Sequence, residues 1–190
     1  MGNIPQSEYN ALYELYNATN GANWIWTASL GNEWTFAGDA NPCADAWQGI
    51  ICYNTTGPNN VFAVRLSKMN LVGTIPESIS ALANVTNLQM DGNKLRGGIP
   101  HSLYTLVNLE TLTLASNGLS GTISNSLGNL KELQYFSLSR NTLSGTIPNN
   151  ISTLSKLYLI YLGNNMFDGT IPNCLALLPK LQYLDLGNNA

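Results

Sequence analysis

Apolar residues along residues 61–190 return at fixed offsets. Within residues 133–156 they are Leu133, Phe136, Leu138, Leu143, Ile147, Ile151 and Leu154, punctuated by Asn141, Gly145 and Pro148. The same frame starts again at Val61, Val85, Leu109, Leu157 and Leu181, and Asn93, Asn117, Asn141, Asn165 and Asn189 stand 24 residues apart without an insertion. The head of each unit alternates apolar and polar, which predicts a short strand with one face buried and the other in solvent. A constant period of this length marks a solenoid, because one unit cannot bury its apolar face and stacking can.

The spacing L-x-x-L-x-L-x-x-N identifies the unit as a leucine-rich repeat. The predicted fold is an α/β solenoid: a right-handed superhelix with a parallel concave β-sheet and a helical N-terminal cap. An asparagine amide both donates and accepts, so stacked asparagines can serve backbone groups where the chain leaves the sheet. Glycine in L-x-G-x-I-P permits a tight bend, and proline sets φ for the return arc. Two repeats depart from this scheme. Met69 takes the asparagine position of the first, and Ser124 replaces the proline of the third. Residues 61–190 make five complete repeats and a truncated sixth, and residues 1–60 form the cap.

Residues 7–20 read as the one clear helix, with Ser7 as N-cap and Tyr9, Leu12, Leu15 and Tyr16 on one face. Asn20 and Gly21 supply its stop. All four tryptophans (Trp24, Trp26, Trp34 and Trp47) precede the repeats. A solenoid needs its first repeat covered, so they read as cap filling rather than a ligand cage. Cys43 and Cys52 stand close together with no histidine nearby, too few ligands for a structural zinc site. A disulfide between them closes a short loop and implies an oxidising compartment.

The run N-P-C-x(3)-W-x-G-x-x-C from Asn41, followed by the L-x-G-x-I-P repeats, resembles plant-type extracellular leucine-rich repeat proteins: receptor-like kinase ectodomains, receptor-like proteins and polygalacturonase inhibitors. The opening ALYELYNATNGANW resembles the caps of related proteins from protists, oomycetes and some bacteria. The resemblance spans residues 7–190 and implies a secreted or surface-displayed recognition module, with the ligand left open.

Net charge is −3 with 10% charged residues, which offers no footprint for nucleic acid or an anionic membrane. No apolar run approaches a transmembrane length, so a membrane is reached only through a segment outside this chain. The N-terminus lacks the basic and apolar regions of a signal peptide. Met1-Gly2 fits a myristoylation signal poorly, since Gln6 fills the position calling for serine or threonine. Sequons occur at Asn17, Asn54, Asn84 and Asn150, as many as this composition yields by chance. Cys174 is either a free thiol or the partner of a cysteine outside the chain. His101 lies three repeats from Cys174 and reads as a solvated surface residue. Neither a phosphate loop, paired carboxylates nor a metal cluster is visible, so no enzyme, metal or cofactor is expected.

Function is therefore expected on the solvent face of the strands, whose residues stack in columns. One column reads Arg65, Gln89, Thr113, Ser137, Tyr161, Asp185, and another Ala63, Asn87, Thr111, Tyr135, Leu159, Tyr183. Tyr135, Leu159, Tyr161 and Tyr183 converge in the last three repeats, with Arg140 at their edge and Asp91 in a polar column toward the N-terminus. Tyrosine and arginine are interface residues, so this face is the candidate site for a protein, peptide or glycan. The chain stops inside a repeat with Leu184 and Leu186 uncovered, which predicts a fragment of a longer protein or an open end that pairs with another copy. A row of Thr74, Thr122, Thr146 and Thr170, broken by Gly98, offers ice binding as a minor alternative.

Overall fold

The computed structural model describes residues 3–53 and 59–190. Asn54 of the second sequon and the Met1-Gly2 signal lie outside the described residues. In chain order the helix Gln6–Ala18 (α1) precedes Ile50–Tyr53 (β1), Asn60–Arg65 (β2), Val72–Gly73 (β3), Asn87–Gln89 (β4), Lys94–Gly97 (β5) and Thr111–Thr113 (β6). Gly118–Gly121 (β7), Tyr135–Ser137 (β8), Thr142–Gly145 (β9), Leu159–Tyr161 (β10), Met166–Phe167 (β11) and Tyr183–Asp185 (β12) follow.

Strands at the head of each repeat form one sheet in the order β1-β2-β4-β6-β8-β10-β12. All its pairs are parallel except β1 on β2. The segments around the repeat glycine form a second parallel sheet, β3-β5-β7-β9-β11. The return arcs are five-residue 3₁₀ turns at Glu77–Ala81, His101–Thr105, Asn125–Asn129, Asn149–Thr153 and Asn173–Leu177. A single α-helix therefore serves the cap, and the repeats contain none among the described residues. One apolar core runs from Ile4 to Leu178 between these layers. No helix among the described residues is long and apolar enough to cross a membrane.

The asparagines join neighbouring coils. Asn141 Nδ2 donates to Leu138 O (2.9 Å) in its own repeat and to Leu114 O (3.0 Å) in the one before. Its Oδ1 accepts from Leu119 N at 2.9 Å. Asn93, Asn117, Asn165 and Asn189 repeat this pattern. Each repeat also bends twice through left-handed backbone: once at the residue before the asparagine (Ser116, Arg140, Asn164 and Asn188) and once at the glycine (Gly97, Gly121, Gly145 and Gly169). Ser124 has a physical account too. Its N–H, which a proline lacks, meets the Tyr104 hydroxyl at 3.4 Å, and its Oγ accepts from Ser126 N.

The cap helix runs over Gln6–Ala18, with Pro5 and not Ser7 at its N-terminal boundary. Pro5 O takes the first helical hydrogen bond, from Tyr9 N, and Ser7 lies inside the first turn. At the other end Ala18 O and Thr19 O accept from Thr74 N and Val72 N, so the helix terminus pairs the outer edge of β3. Gly73 is required there, since a Cβ would stand 1.9 Å from Ala18 O. Trp24, Trp34 and Trp47 are buried, with Trp34 and Trp47 stacked at 5.4 Å. Trp24 Nε1 donates to Thr19 O and Trp34 Nε1 to Gln48 O, which fits filling rather than a cage. Cys43 and Cys52 are disulfide-bonded, with Cα atoms 5.7 Å apart.

Glu8, only 2% exposed, is a buried acid that periodicity alone does not flag. In later repeats the first residue donates its N–H to a leucine carbonyl of the preceding turn, as Val85 does to Leu82 O. In the first repeat Val61 N donates instead to Glu8 Oε2 at 2.7 Å. Burial pushes the Glu8 carboxyl above its ordinary value of 4.5, opposed by hydrogen bonds from Val61 N and the Asn84 amide. At the far end β12 is the outermost strand and Leu184 is 44% exposed.

Two outcomes follow from this architecture. Asn141→Leu strips a buried N–H and two carbonyls of their partner and should cost about 3 kcal/mol in urea unfolding. Exposed Asn164→Ser, at a position where Ser116 already adopts the same backbone, should change it by under about 0.5 kcal/mol. Because folding raises the Glu8 pKa, the native state binds the proton more tightly, and Glu8 erodes stability as pH rises above 4.5. Glu8→Gln keeps an acceptor for Val61 N. Its stability relative to the parent should rise with pH from 4.5 and then level off, as read by denaturation at several pH values.

Candidate ligand-binding face

Strand register brings the expected columns together. Tyr135, Leu159 and Tyr183 are direct neighbours on β8, β10 and β12, as are Ser137, Tyr161 and Asp185. Arg65 and Gln89 continue the second column on β2 and β4. Tyr135, Tyr161 and Tyr183 are 41%, 36% and 49% exposed, enough to meet a partner, while Leu159 lies half-buried between two tyrosines.

A residue the columns omit completes the patch. Tyr158, just before β10, sits with its ring 5.7 Å from Tyr135 and 5.4 Å from Tyr183. The three rings form a line across three repeats, each tilted steeply to the next, at 55° and 62°. A hydrogen bond with Tyr183 is the main cause that raises the Tyr158 phenol above its ordinary value, followed by desolvation and by its tyrosine neighbours. Tyr161 stands at the other end of β10 and makes no ring contact with them. The signal for Tyr158 was partly available in the sequence: its register partners Thr86, Glu110, Gln134 and Gln182 are polar, while Phe62 heads the same column on β2.

The other candidates divide into two kinds. Asp91 is spoken for within the fold: its carboxylate accepts from Thr113 Oγ1 (2.7 Å), Ala115 N (2.9 Å) and Ser67 Oγ (3.3 Å). Asp185 accepts from Gly187 N. Arg140 lies in the turn after β8 with left-handed backbone, and its guanidinium has no hydrogen-bond or ion-pair partner among the described residues. Arg65 is exposed beside a cleft of about 440 Å³ bounded by Trp47, Gly49 and Met69. On the polar N-terminal half, Asp91, Ser67 and Thr113 are thus engaged with one another while Arg65 is open, as is the aromatic C-terminal half.

Thr74, Thr122, Thr146 and Thr170 are exposed just beyond the strands of the second sheet. Three of them pack Cγ2 over the glycine of the next repeat: Thr74 over Gly97, Thr122 over Gly145, Thr146 over Gly169. Asn17, Asn84 and Asn150 are exposed, though the Asn84 amide already donates to Asn60 Oδ1. Cys174 is half-buried and unpaired, with Sγ donating to Asn149 O. His101 is exposed, 3.4 Å from Ser126 Oγ. No cluster of three metal-ligating side chains occurs among the described residues.

With this geometry in hand, comparison with known proteins is direct. Sequence models of the leucine-rich repeat match residues 131–190 and, in a second form, 84–106 and 108–130, together more than half the chain. A probable leucine-rich repeat receptor-like protein kinase of Arabidopsis thaliana is 35% identical over 86 residues, 43% of this chain and 9% of the kinase. The chain thus spans under a tenth of that relative. The ectodomain of the Arabidopsis receptor kinase SOBIR1 shares the fold along its whole length (TM-score 0.81, 24% identity, covering 100% of this chain and 96% of that one). The Arabidopsis receptor kinase HAESA, solved with the peptide hormone IDA and the co-receptor SERK1, is 37% identical over 66% of this chain and 21% of its own (TM-score 0.65). Repeats and family models agree: the chain belongs to the leucine-rich repeat family, and plant receptor-kinase ectodomains are among the proteins it is similar to.

Proposed function

We propose that this chain is a non-enzymatic recognition module that takes a protein or peptide partner on the C-terminal half of its concave face. It would act outside the cell, as part of a receptor-like or secreted protein. The observation that carries this reading is the tyrosine group on a rigid sheet, exposed at 135, 161 and 183 and half-buried at 158. Tyrosine offers large contact area with few rotamers to freeze and a hydroxyl for orientation. A preorganised sheet also loses little entropy on binding. The peptide-hormone complex of HAESA, an ectodomain of the same family, supports a polypeptide partner, and the Cys43–Cys52 disulfide supports an oxidising compartment.

Affinity capture from the native extracellular fluid tests the face. Tyr161→Ala combined with Tyr183→Ala should lose the partner by about tenfold or more while circular dichroism and unfolding stay unchanged. Loss on Leu184→Lys and not on the tyrosine pair would move the contact to the β12 edge. Intact mass of native protein, with free thiols alkylated before and after reduction, tests the compartment. The expected result is one disulfide, one alkylated thiol and added hexose mass. Three free thiols without glycan would place the chain inside the cell.

A further inference from the structure

Resting on the concave-face reading, we infer that the tyrosine line recognises a proline-rich segment in polyproline II conformation carrying a basic residue at one end. Tyr135 and Tyr183 occupy the same register position two strands apart, with Leu159 between them. At the usual strand spacing this separates them by about 9.6 Å. A polyproline II helix repeats every three residues, about 9.3 Å, so prolines at i and i+3 fall on the two outer rings. An extended β-strand returns a side chain to one face every second residue, about 6.7 Å, and does not match.

Ring orientation points the same way. Successive tilts of 55° and 62° make a corrugated surface with notches, the form in which aromatic grooves seat proline rings. A flat sugar chain needs coplanar faces to stack on all three rings, and these are not coplanar. Polyproline II leaves its own carbonyls without internal partners, and the tyrosine hydroxyls at the rim supply donors.

The charge follows from Glu110. It holds the register position of Tyr158 two strands earlier, about 9.6 Å along the line of rings. It is exposed and has no ion-pair partner among the described residues. Lys156 is already paired with Glu132, and Lys131 and Lys180 stand farther back, on the loops that enter the strands. Glu110 leads into β6, one strand or about 4.8 Å beyond Tyr135, so an arginine or lysine one or two residues past the proline on Tyr135 reaches its carboxylate.

The test uses calorimetry and aromatic NMR on the full chain. Its probe is a short synthetic peptide with proline at every third position and one terminal arginine. The peptide should bind and shift the Tyr135, Tyr158 and Tyr183 resonances, and a version with the prolines scrambled should not. Tyr158→Ala should weaken binding by about tenfold, and Tyr158→Phe, which keeps the ring, by less. Glu110→Gln should abolish the preference for arginine over glutamate at the peptide terminus while proline-dependent binding persists. Equal binding of the scrambled peptide, a preference for terminal glutamate, or binding of a β-glucan oligosaccharide in place of the peptide would each overturn the inference. If no proline peptide binds while the Tyr161→Ala/Tyr183→Ala protein still loses its captured partner, the proline specificity falls and the concave-face function stands.

Discussion

Everything in this molecule leans on one arrangement: a buried amide that ties each coil to the one before it. Asn93, Asn117, Asn141, Asn165 and Asn189 each serve backbone groups in two repeats at once. Where the chain turns out of the sheet, N–H and C=O groups lose their ladder partners inside an apolar core, and an unmet buried group costs about 1–3 kcal/mol. The carboxamide is the one uncharged side chain of this size with two donors and an acceptor. Leucines supply the driving force for stacking, but they are indifferent to axial position. The asparagines are not, and they hold the spacing at which the leucines fit.

That ladder has a direction, and the direction explains the cap. Every asparagine reaches back toward the N-terminus, so the first repeat needs no asparagine of its own to bind a repeat behind it. Met69 can fill the position, with its backbone N–H taken by Asn93 and its carbonyl by Ile25 N from the cap. The remaining open valences of the first repeat are met individually. Glu8 replaces a leucine carbonyl for Val61 N, the end of α1 replaces a strand for β3, and β1 covers β2 from the antiparallel side. The cap imitates a repeat through unrelated chemistry, and so it needs a helix, an aromatic cluster and a disulfide to hold few repeat-like groups in place.

This asymmetry also decides what could be read from the chain. Repeat positions were legible because the same requirement recurs: Leu, Asn and Gly each answer it the same way several times over. The column register followed from the period alone, and it placed Tyr135, Leu159 and Tyr183 side by side. Of the features that occur once, the cap helix, the tryptophan cluster and the Cys43–Cys52 pair were legible, and others were not. The helix boundary at Pro5, the buried Glu8 and the Tyr104–Ser124 contact each depend on tertiary neighbours that periodicity does not encode. Tyr158 is intermediate. It stood out from the polar residues before and after it in its column, Gln134 and Gln182, yet only the fold shows that a residue outside the strand reaches both tyrosines. Asp91 failed the other way, since three partners across the repeats make it a clamp rather than a free carboxylate.

The division of the concave face follows from the same economy. Near the cap, polar side chains such as Asp91 are drawn into bonds that bind repeats to one another, which leaves fewer groups for a partner. Farther along, the stacking is already secured by the asparagines, and the exposed positions carry no structural duty. In earlier repeats the columns of Tyr135, Tyr158 and Tyr183 hold Asn87, Thr111, Thr86, Glu110 and Gln134, beside Ala63 and Phe62 next to the cap, so the core does not require aromatic rings there. Neighbouring rings in this line, with centroids within 6 Å, gain from mutual contact only about 0.5–1.5 kcal/mol per pair. Their remaining apolar surface stays exposed until something else covers it. A scaffold that does not need these rings, and a solvent that penalises them, are the physical grounds on which the proposed partner contact rests.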